Sequence, residues 1–250
     1  MRFDVPVPCF FGADDFCDAI RKIGRLGFDA AETYSWQGLD FDSVRAACEE
    51  SGVELVSICT SFFNMTEPAC RKEWLENLEK SCEAACRLGA GKLITQVGND
   101  TGRERAFQHE SIVCALREAK PILEEYGRTL MLEPLNVLID HKGYYLVSSS
   151  EAFDIVDEAD CGFVKVVYDI YHQQISEGNI IPTIKANLGK IAHLHCAGHP
   201  GRHELQYGEN DYRNIFAAVD EAGYDGCCGL EYGPLLPPEE SLEEFKRIYL

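Results

Sequence analysis

A chain of 250 residues, 46% of them apolar, can bury roughly 70–75% of its unfolded surface and has the usual size of one (β/α)8 barrel. Its formal charge of −19, from 42 acidic against 23 basic residues, argues against a nucleic-acid partner, because such binding rests on lysine and arginine neutralising phosphates. No run approaches the ~18–20 apolar residues that span a bilayer, and MRFDVPVPCFFGADD enters a strand at once without a leader's apolar core, so a cytoplasmic protein with no membrane partner is expected.

In chain order, apolar runs of strand length fall at FDVPV (3–7), DAAETY (29–34), VELVSIC (53–59), KLITQV (92–97), TLMLE (129–133), KVVYD (165–169), KIAHLH (190–195) and GCCGLE (226–231). Amphipathic stretches separate them. DDFCDAIRKIGRLGF carries apolar residues at 16, 19, 20, 23 and 26 on one helical face, with glycine at 24 and 27 as a stop. WLENLEKSCEAACRLGAG and HESIVCALREAKPILEEYG repeat that pattern, the second with a kink expected at Pro121. Eight strands alternating with helices predict an α/β fold, a single (β/α)8 TIM barrel over 1–250. A doubly wound open sheet would ordinarily show GxGxxG after its first strand, and PVPCFFGADD lacks it. The twelve cysteines contain no CxxC pair and sit mostly at apolar positions, which predicts reduced core residues; Cys9 and Cys196 stand apart, at or near strand ends that face the barrel mouth.

Glu133, Asp169, His195 and Glu231 each end an apolar run, at successive separations of 36, 26 and 36 residues (169−133, 195−169, 231−195). In a closed barrel all four emerge at the C-terminal mouth, where such folds build their sites. Two glutamates, an aspartate and one imidazole suit a single hard divalent ion, Mn²⁺ first and Mg²⁺ or Co²⁺ next, better than a thiolate zinc site. Chance placement of polar residues at strand ends explains one such position readily and four poorly.

Loops add further groups. EPLNVLIDHKGYYL contributes Asn136, Asp140 and His141, and YDIYHQQISEGN places His172 three residues beyond Asp169. HLHCAGHPGRHE packs four of seven histidines and Arg202 into eleven positions. Period two puts His193 on the face of His195 but deeper, where a hydrogen-bonded core histidine is the expected role. His199 and His203 read as solvated loop residues. Arg202 offers a bidentate fork for a carboxylate, with pairing to Glu204 or Glu209 as the plainer alternative. Trp36, Phe62 and Phe10 make either an apolar wall or ordinary core.

The phrases EPLN…DHKGYYL, YDIYHQQISEGN, AGHPGRHE…GEN and GLEYGP resemble the hydroxypyruvate isomerase family within the xylose isomerase-like sugar isomerase and epimerase superfamily, strongly over roughly residues 129 to 236 and weakly before. The resemblance implies a metal held by Glu133, Asp169, His195 and Glu231, with Glu133 and Glu231 doubling as acid and base. It also implies substrate contacts from His172 and Arg202; Asn136 and His141 are further candidates for substrate binding. Two departures stand out: HLH replaces that family's HxQ, as in ketose 3-epimerases, and EPLNVLI lacks the second glutamate of the epimerase phrase E-x-L-N-R-x-E.

The expected function is metal-dependent isomerisation of a short keto sugar acid, for which hydroxypyruvate to tartronate semialdehyde is the family example. A ketose 3-epimerase is the alternative, and the same residues could serve either. An apurinic endonuclease needs extra histidines on early strands, whereas the first 128 residues hold only His109, in a predicted helix. A non-catalytic sugar-binding barrel leaves the paired glutamates without a role. The expected partners are a small keto sugar or sugar acid and further copies of the chain, as a dimer or tetramer.

Overall fold

In the computed structural model, which describes residues 1–12 and 14–250, eight parallel strands close into a barrel in chain order, β8 pairing back onto β1. The chain runs β1 (Arg2–Pro6), α1 (Val7–Phe11), α2 (Phe16–Arg25), β2 (Ala30–Thr33), α3 (Phe41–Ser51), β3 (Glu54–Cys59), α4 (Arg71–Leu88), β4 (Lys92–Thr95), α5 (Arg105–Tyr126), β5 (Thr129–Leu132), α6 (Ser149–Ala159), β6 (Val164–Asp169), α7 (Ile170–Ser176), α8 (Ile180–Asn187), β7 (Ile191–Cys196), α9 (Tyr212–Glu221), β8 (Cys227–Leu230) and α10 (Pro238–Tyr249). Every strand expected from the sequence is present within two residues at each end.

Local chemistry explains the alternation. The strands are short runs of buried residues, as in parallel sheets covered on both faces. Asp15, Asp40, Ser148 and Asp211 cap the helices that follow them by accepting a backbone N–H. Gly89 and Gly127 end α4 and α5 in the left-handed region, the stops their positions suggest. α5 continues through Pro121, which removes only the ladder bond toward Arg117 and leaves the helix one element.

The main core lies between strands and helices, around Trp74, Leu78, Ile112, Leu116 and Phe245 among others. Inside the barrel a separate apolar cluster of Cys59, Ile94, Met131 and Val167 fills one side. The other side is polar: Asp4, Glu32, Ser57, His193 and His195 are buried there together. Register shifts at Ala31/Glu32 and Val166/Val167 lie beside this polar side, and such irregularities re-aim side chains next to sites. None of the twelve cysteines is joined in a disulfide. Among the described residues, no helix is long and apolar enough to cross a membrane.

Candidate active site

The barrel register sets Asp169 beside His195, and His195 beside Gly229, so strand ends from β5 to β8 share one mouth. Asp169 both ends β6 and caps α7. Its Oδ1 accepts the backbone N–H groups of Tyr171 at 2.7 Å and His172 at 3.3 Å. That leaves Oδ2 buried with no hydrogen bond among the described residues, 3.4 Å from Nε2 of His172 and 3.8 Å from Nη2 of Arg202. Glu133 follows β5 and Glu231 follows β8. Their Oε1 and Oε2, respectively, each stand 3.1 Å from Nδ1 of His195. Tyr34 donates its hydroxyl to Oε1 of Glu231 at 2.8 Å, and Arg202 donates Nη2 to Oε2 at 2.8 Å.

Donor atoms of Glu133, Asp169, His172 and Glu231 all lie within 4.8 Å of one another, and His195 adjoins them. Three carboxylates packed this closely repel, so the protein's own charges respond. Burial and the Glu231 charge push the Asp169 carboxyl up to about 8. Burial also works to raise Glu231, but Arg202 and His195 outweigh it and hold that carboxyl well below the usual range. His195 is driven in the opposite direction to burial, well above the ordinary imidazole value, by Glu32 and Glu231. An oxygen-rich set with an orphaned Asp169 oxygen fits a hard divalent cation, which would satisfy that oxygen and relieve the repulsion.

Two imidazoles border the carboxylates, and their partners distinguish them. The Asn136 carboxamide donates Nδ2 to Nδ1 of His172 at 2.7 Å and to Asp140 at 2.8 Å, while its Oδ1 accepts the backbone N–H groups of Ile139 and Asp140. That network fixes which end of the amide is nitrogen. Nδ1 of His172 is therefore an acceptor, and a neutral ring carries its proton on Nε2, facing the site. Burial and then Arg202 keep His172 neutral, lowering it to about 3. His172 is thus a hydrogen-bond donor toward the pocket rather than a lone-pair ligand.

A cavity of about 950 Å³ opens above these groups, bordered by Glu133, His141, His172, His195, Arg202 and Glu231. The structure brings six of the eight candidate residues to its lining. Asp169 lies buried beside it, and Asn136 is fully buried and orients His172 instead. Arg202 pairs with Glu231 rather than Glu204 or Glu209, its guanidinium 5.1 Å from the Tyr171 ring. Among the described residues no hydrogen bond engages its Nη1 or Nε. Phe62 lines the cavity, whereas Phe10 packs edge-on against Tyr232 and Trp36 tilts against Phe41. His193 is a buried core histidine, 3.4 Å from Asp4 and 3.5 Å from Glu32. His203 meets the Gly233 carbonyl, and His199 stands beside Tyr171.

Sequence reasoning missed Glu32 and Tyr34. Glu32 lies one residue before the end of β2 within DAAETY, close to the strand-end signal applied to later strands, and its carboxylate lies 3.1 Å from Nε2 of His195. Tyr34 carried no comparable signal, since a strand-end tyrosine is ordinary core.

This fold and site place the chain in a known family. A family model described as a xylose isomerase-like TIM barrel matches residues 20–248, and the chain belongs to that family. The hydroxypyruvate isomerase of Escherichia coli K12 is 28% identical over 251 residues, covering 97% of each chain. The 2-oxo-tetronate isomerase of Cupriavidus necator is 36% identical over 172 residues, covering 67% of this chain and 64% of that one. The crystal structure of an AP endonuclease, family 2, from Brucella melitensis superposes with a TM-score of 0.93 at 25% identity, covering 100% and 99% of the two chains.

Proposed function

We propose that the chain is a metal-dependent isomerase of a short keto sugar acid, of the hydroxypyruvate or 2-oxo-tetronate kind, with Glu133 and Glu231 as acid and base. An intramolecular isomerase or epimerase is what its family and relatives make it; substrate, metal and roles are our reading. The observation that carries it is the convergence of Glu133, Asp169 and Glu231 around a buried Asp169 oxygen that has no hydrogen bond among the described residues, with His195 beside the two glutamates. Those four residues would hold the ion, with Mn²⁺ the first choice and Mg²⁺ or Co²⁺ next. A bound divalent cation supplies Lewis acidity to a substrate carbonyl and its neighbouring hydroxyl, lowering the cost of removing the proton between them.

The chain's own groups supply the rest. Glu133 and Glu231 reach the mouth from different sides, on β5 and β8. One carboxylate takes the proton α to the carbonyl, the C–H electrons entering an enediolate. Delivery of a proton to the former carbonyl carbon, with the neighbouring hydroxyl's proton passing to the former carbonyl oxygen, then gives the isomer. His172 offers Nε2–H to a substrate oxygen, and the free Nη1 and Nε of Arg202 suit a substrate carboxylate. The net charge of −19 supports a small substrate over a nucleic acid despite the endonuclease name of one solved structure.

His195 favours a second reading, ketose 3-epimerase, because HLH departs from the HxQ phrase of the isomerases it otherwise resembles. The decisive experiment incubates chelated, then Mn²⁺-reconstituted protein with hydroxypyruvate, 2-oxo-tetronate and neutral ketoses in D₂O, read by NMR. Metal-dependent isomerisation of an acid with solvent deuterium incorporated supports the proposal. Exchange confined to C3 of a ketose establishes the epimerase instead, and full activity in the chelated protein overturns both.

A further inference from the structure

We infer that Glu32 is a positioning residue that holds the proton of His195 on Nε2, so that Nδ1 presents its lone pair to the cation between Glu133 and Glu231. The inference rests on the metal reading above. An imidazole has two nitrogens and, when neutral, one proton. Nε2 of His195 lies 3.1 Å from Oε1 of Glu32, and an ionised carboxylate only accepts, so that nitrogen carries hydrogen. Nδ1 faces the Glu133 and Glu231 oxygens at 3.1 Å each, so without the cation it too carries hydrogen, and cation binding would release that proton while Glu32 keeps the one on Nε2. Adjacent ligands of an ion with bonds of about 2.1 Å stand roughly 3 Å apart, so this spacing matches neighbouring corners of one coordination shell.

Glu32 is itself held in place. Ser57 donates its hydroxyl to Oε2 at 2.7 Å, and His193 stands 3.5 Å away. β8 leaves room for the pair only because position 229 is glycine: a Cβ there would come within 2.8 Å of Cδ2 of His195 and 3.1 Å of Oε1 of Glu32. Glu32, Ser57 and His195 come from β2, β3 and β7, so the carboxylate reaches the imidazole across the barrel's interior.

The test is Mn²⁺ affinity, by isothermal titration of the chelated full-length protein, for the wild type, Glu32→Gln, His195→Gln and the double variant. Metal-ligating histidines that lose such a partner commonly bind about 10–100-fold more weakly. Glu32→Gln should weaken Mn²⁺ binding by that factor, and the factor should vanish in the His195→Gln background. Ser57→Ala, which frees the carboxylate without removing it, should weaken binding in the same direction and stands in if Glu32→Gln does not fold. With Mg²⁺ as a diamagnetic probe, ¹⁵N spectra should show protonated Nε2 and unprotonated Nδ1 at His195 in the wild type. Unchanged affinity in Glu32→Gln overturns the inference and leaves the metal centre standing, as does an equal loss in both backgrounds. Two Mn²⁺ ions per chain would mean that Glu32, His193 and His195 hold an ion themselves, which also overturns it. No Mn²⁺ binding in the wild type removes the metal reading and this inference with it.

Discussion

The side-chain nitrogen of Asn136 sits 2.7 Å from Nδ1 of His172 and dictates which face of that ring can donate. The amide cannot turn over without breaking its bonds to the N–H groups of Ile139 and Asp140, so the loop after β5 sets the chemistry of a residue in α7.

Asn136→Asp tests that control. An aspartate keeps the size and the acceptor for the loop but presents oxygen to Nδ1, which draws the proton there and leaves Nε2 a bare acceptor toward the substrate. A lost donor at a developing oxyanion commonly costs ~10²–10³-fold in kcat. We expect kcat to fall by about 10²-fold with KM changed much less, measured by steady-state kinetics beside a circular dichroism melt. An unchanged kcat in a folded variant would release His172 from its donor role.

Cation binding should be visible in stability before any turnover is measured. Glu133, Asp169 and Glu231 crowd their oxygens together, and an ion that binds only the folded chain stabilises it by about 2.7 kcal/mol at one hundred times its dissociation constant. Differential scanning fluorimetry of chelated protein should show the melting temperature climbing with Mn²⁺, and the increment should shrink sharply in Asp169→Asn. A melting temperature indifferent to Mn²⁺, Mg²⁺ and Co²⁺ alike would leave the cage without a ligand.

Gly229→Ala adds one methyl group to the wall of the barrel. Because that methyl would stand 2.8 Å from the His195 ring, the imidazole must shift or the strand must move, at a cost of about 1–3 kcal/mol in a packed interior. The variant should fold with a lowered melting temperature and bind Mn²⁺ more weakly than the wild type. Wild-type affinity would show that His195 tolerates displacement, which a ligand in a fixed coordination shell does not.

The barrel and its mouth were legible because their signals are local. Short apolar runs ending in a carboxylate or imidazole mark both the strand and the end of it that opens to the barrel mouth, and Glu133, Asp169, His195 and Glu231 all lie at such ends. What escaped depends on partners distant in the chain. Nothing in YDIYHQ reveals that His172 receives a hydrogen bond from a residue 36 positions earlier, and EPLN gives no sign that Asn136 turns inward. Glu32 carried a signal close to the strand-end signal of the others, but its significance lies in reaching His195, 163 residues away, across a closed barrel. Arg202 was recognisable as a candidate anchor, whereas its pairing with Glu231 goes with a left-handed backbone at 202.

Glu133→Gln and Glu231→Gln should each fold and lose turnover by ~10²–10⁴-fold, since an amide oxygen can still ligate but cannot carry a proton. The two differ in a second readout. Glu231 is the partner of Arg202 and Tyr34, so Glu231→Gln also loosens the arginine and should raise KM for an acid substrate, whereas Glu133→Gln leaves that pair intact. Steady-state kinetics of both variants separate these effects, and near wild-type kcat in either removes that residue from proton transfer.

Arg202 is where the distinction between an acid and a neutral sugar should be read. A protein of charge −19 repels an anion at long range, so an acid substrate needs positive charge at the site itself. Arg202 donates Nη2 to Glu231 and leaves Nη1 and Nε without a hydrogen bond among the described residues, so it can still contact a second carboxylate, its guanidinium carbon 5.1 Å from the Tyr171 ring. Lysine at this position keeps the charge but has one ammonium for two anions and no fork. Arg202→Lys should therefore raise KM for hydroxypyruvate by about 10-fold or more, the order of one charge-assisted hydrogen bond, while a neutral ketose is affected only through the weakened hold on Glu231. Competition between the two substrates, measured as the ratio of kcat/KM in wild type and variant, isolates the carboxylate contact from the shared loss. An unchanged ratio would confine Arg202 to holding Glu231 and would turn the site toward neutral sugars.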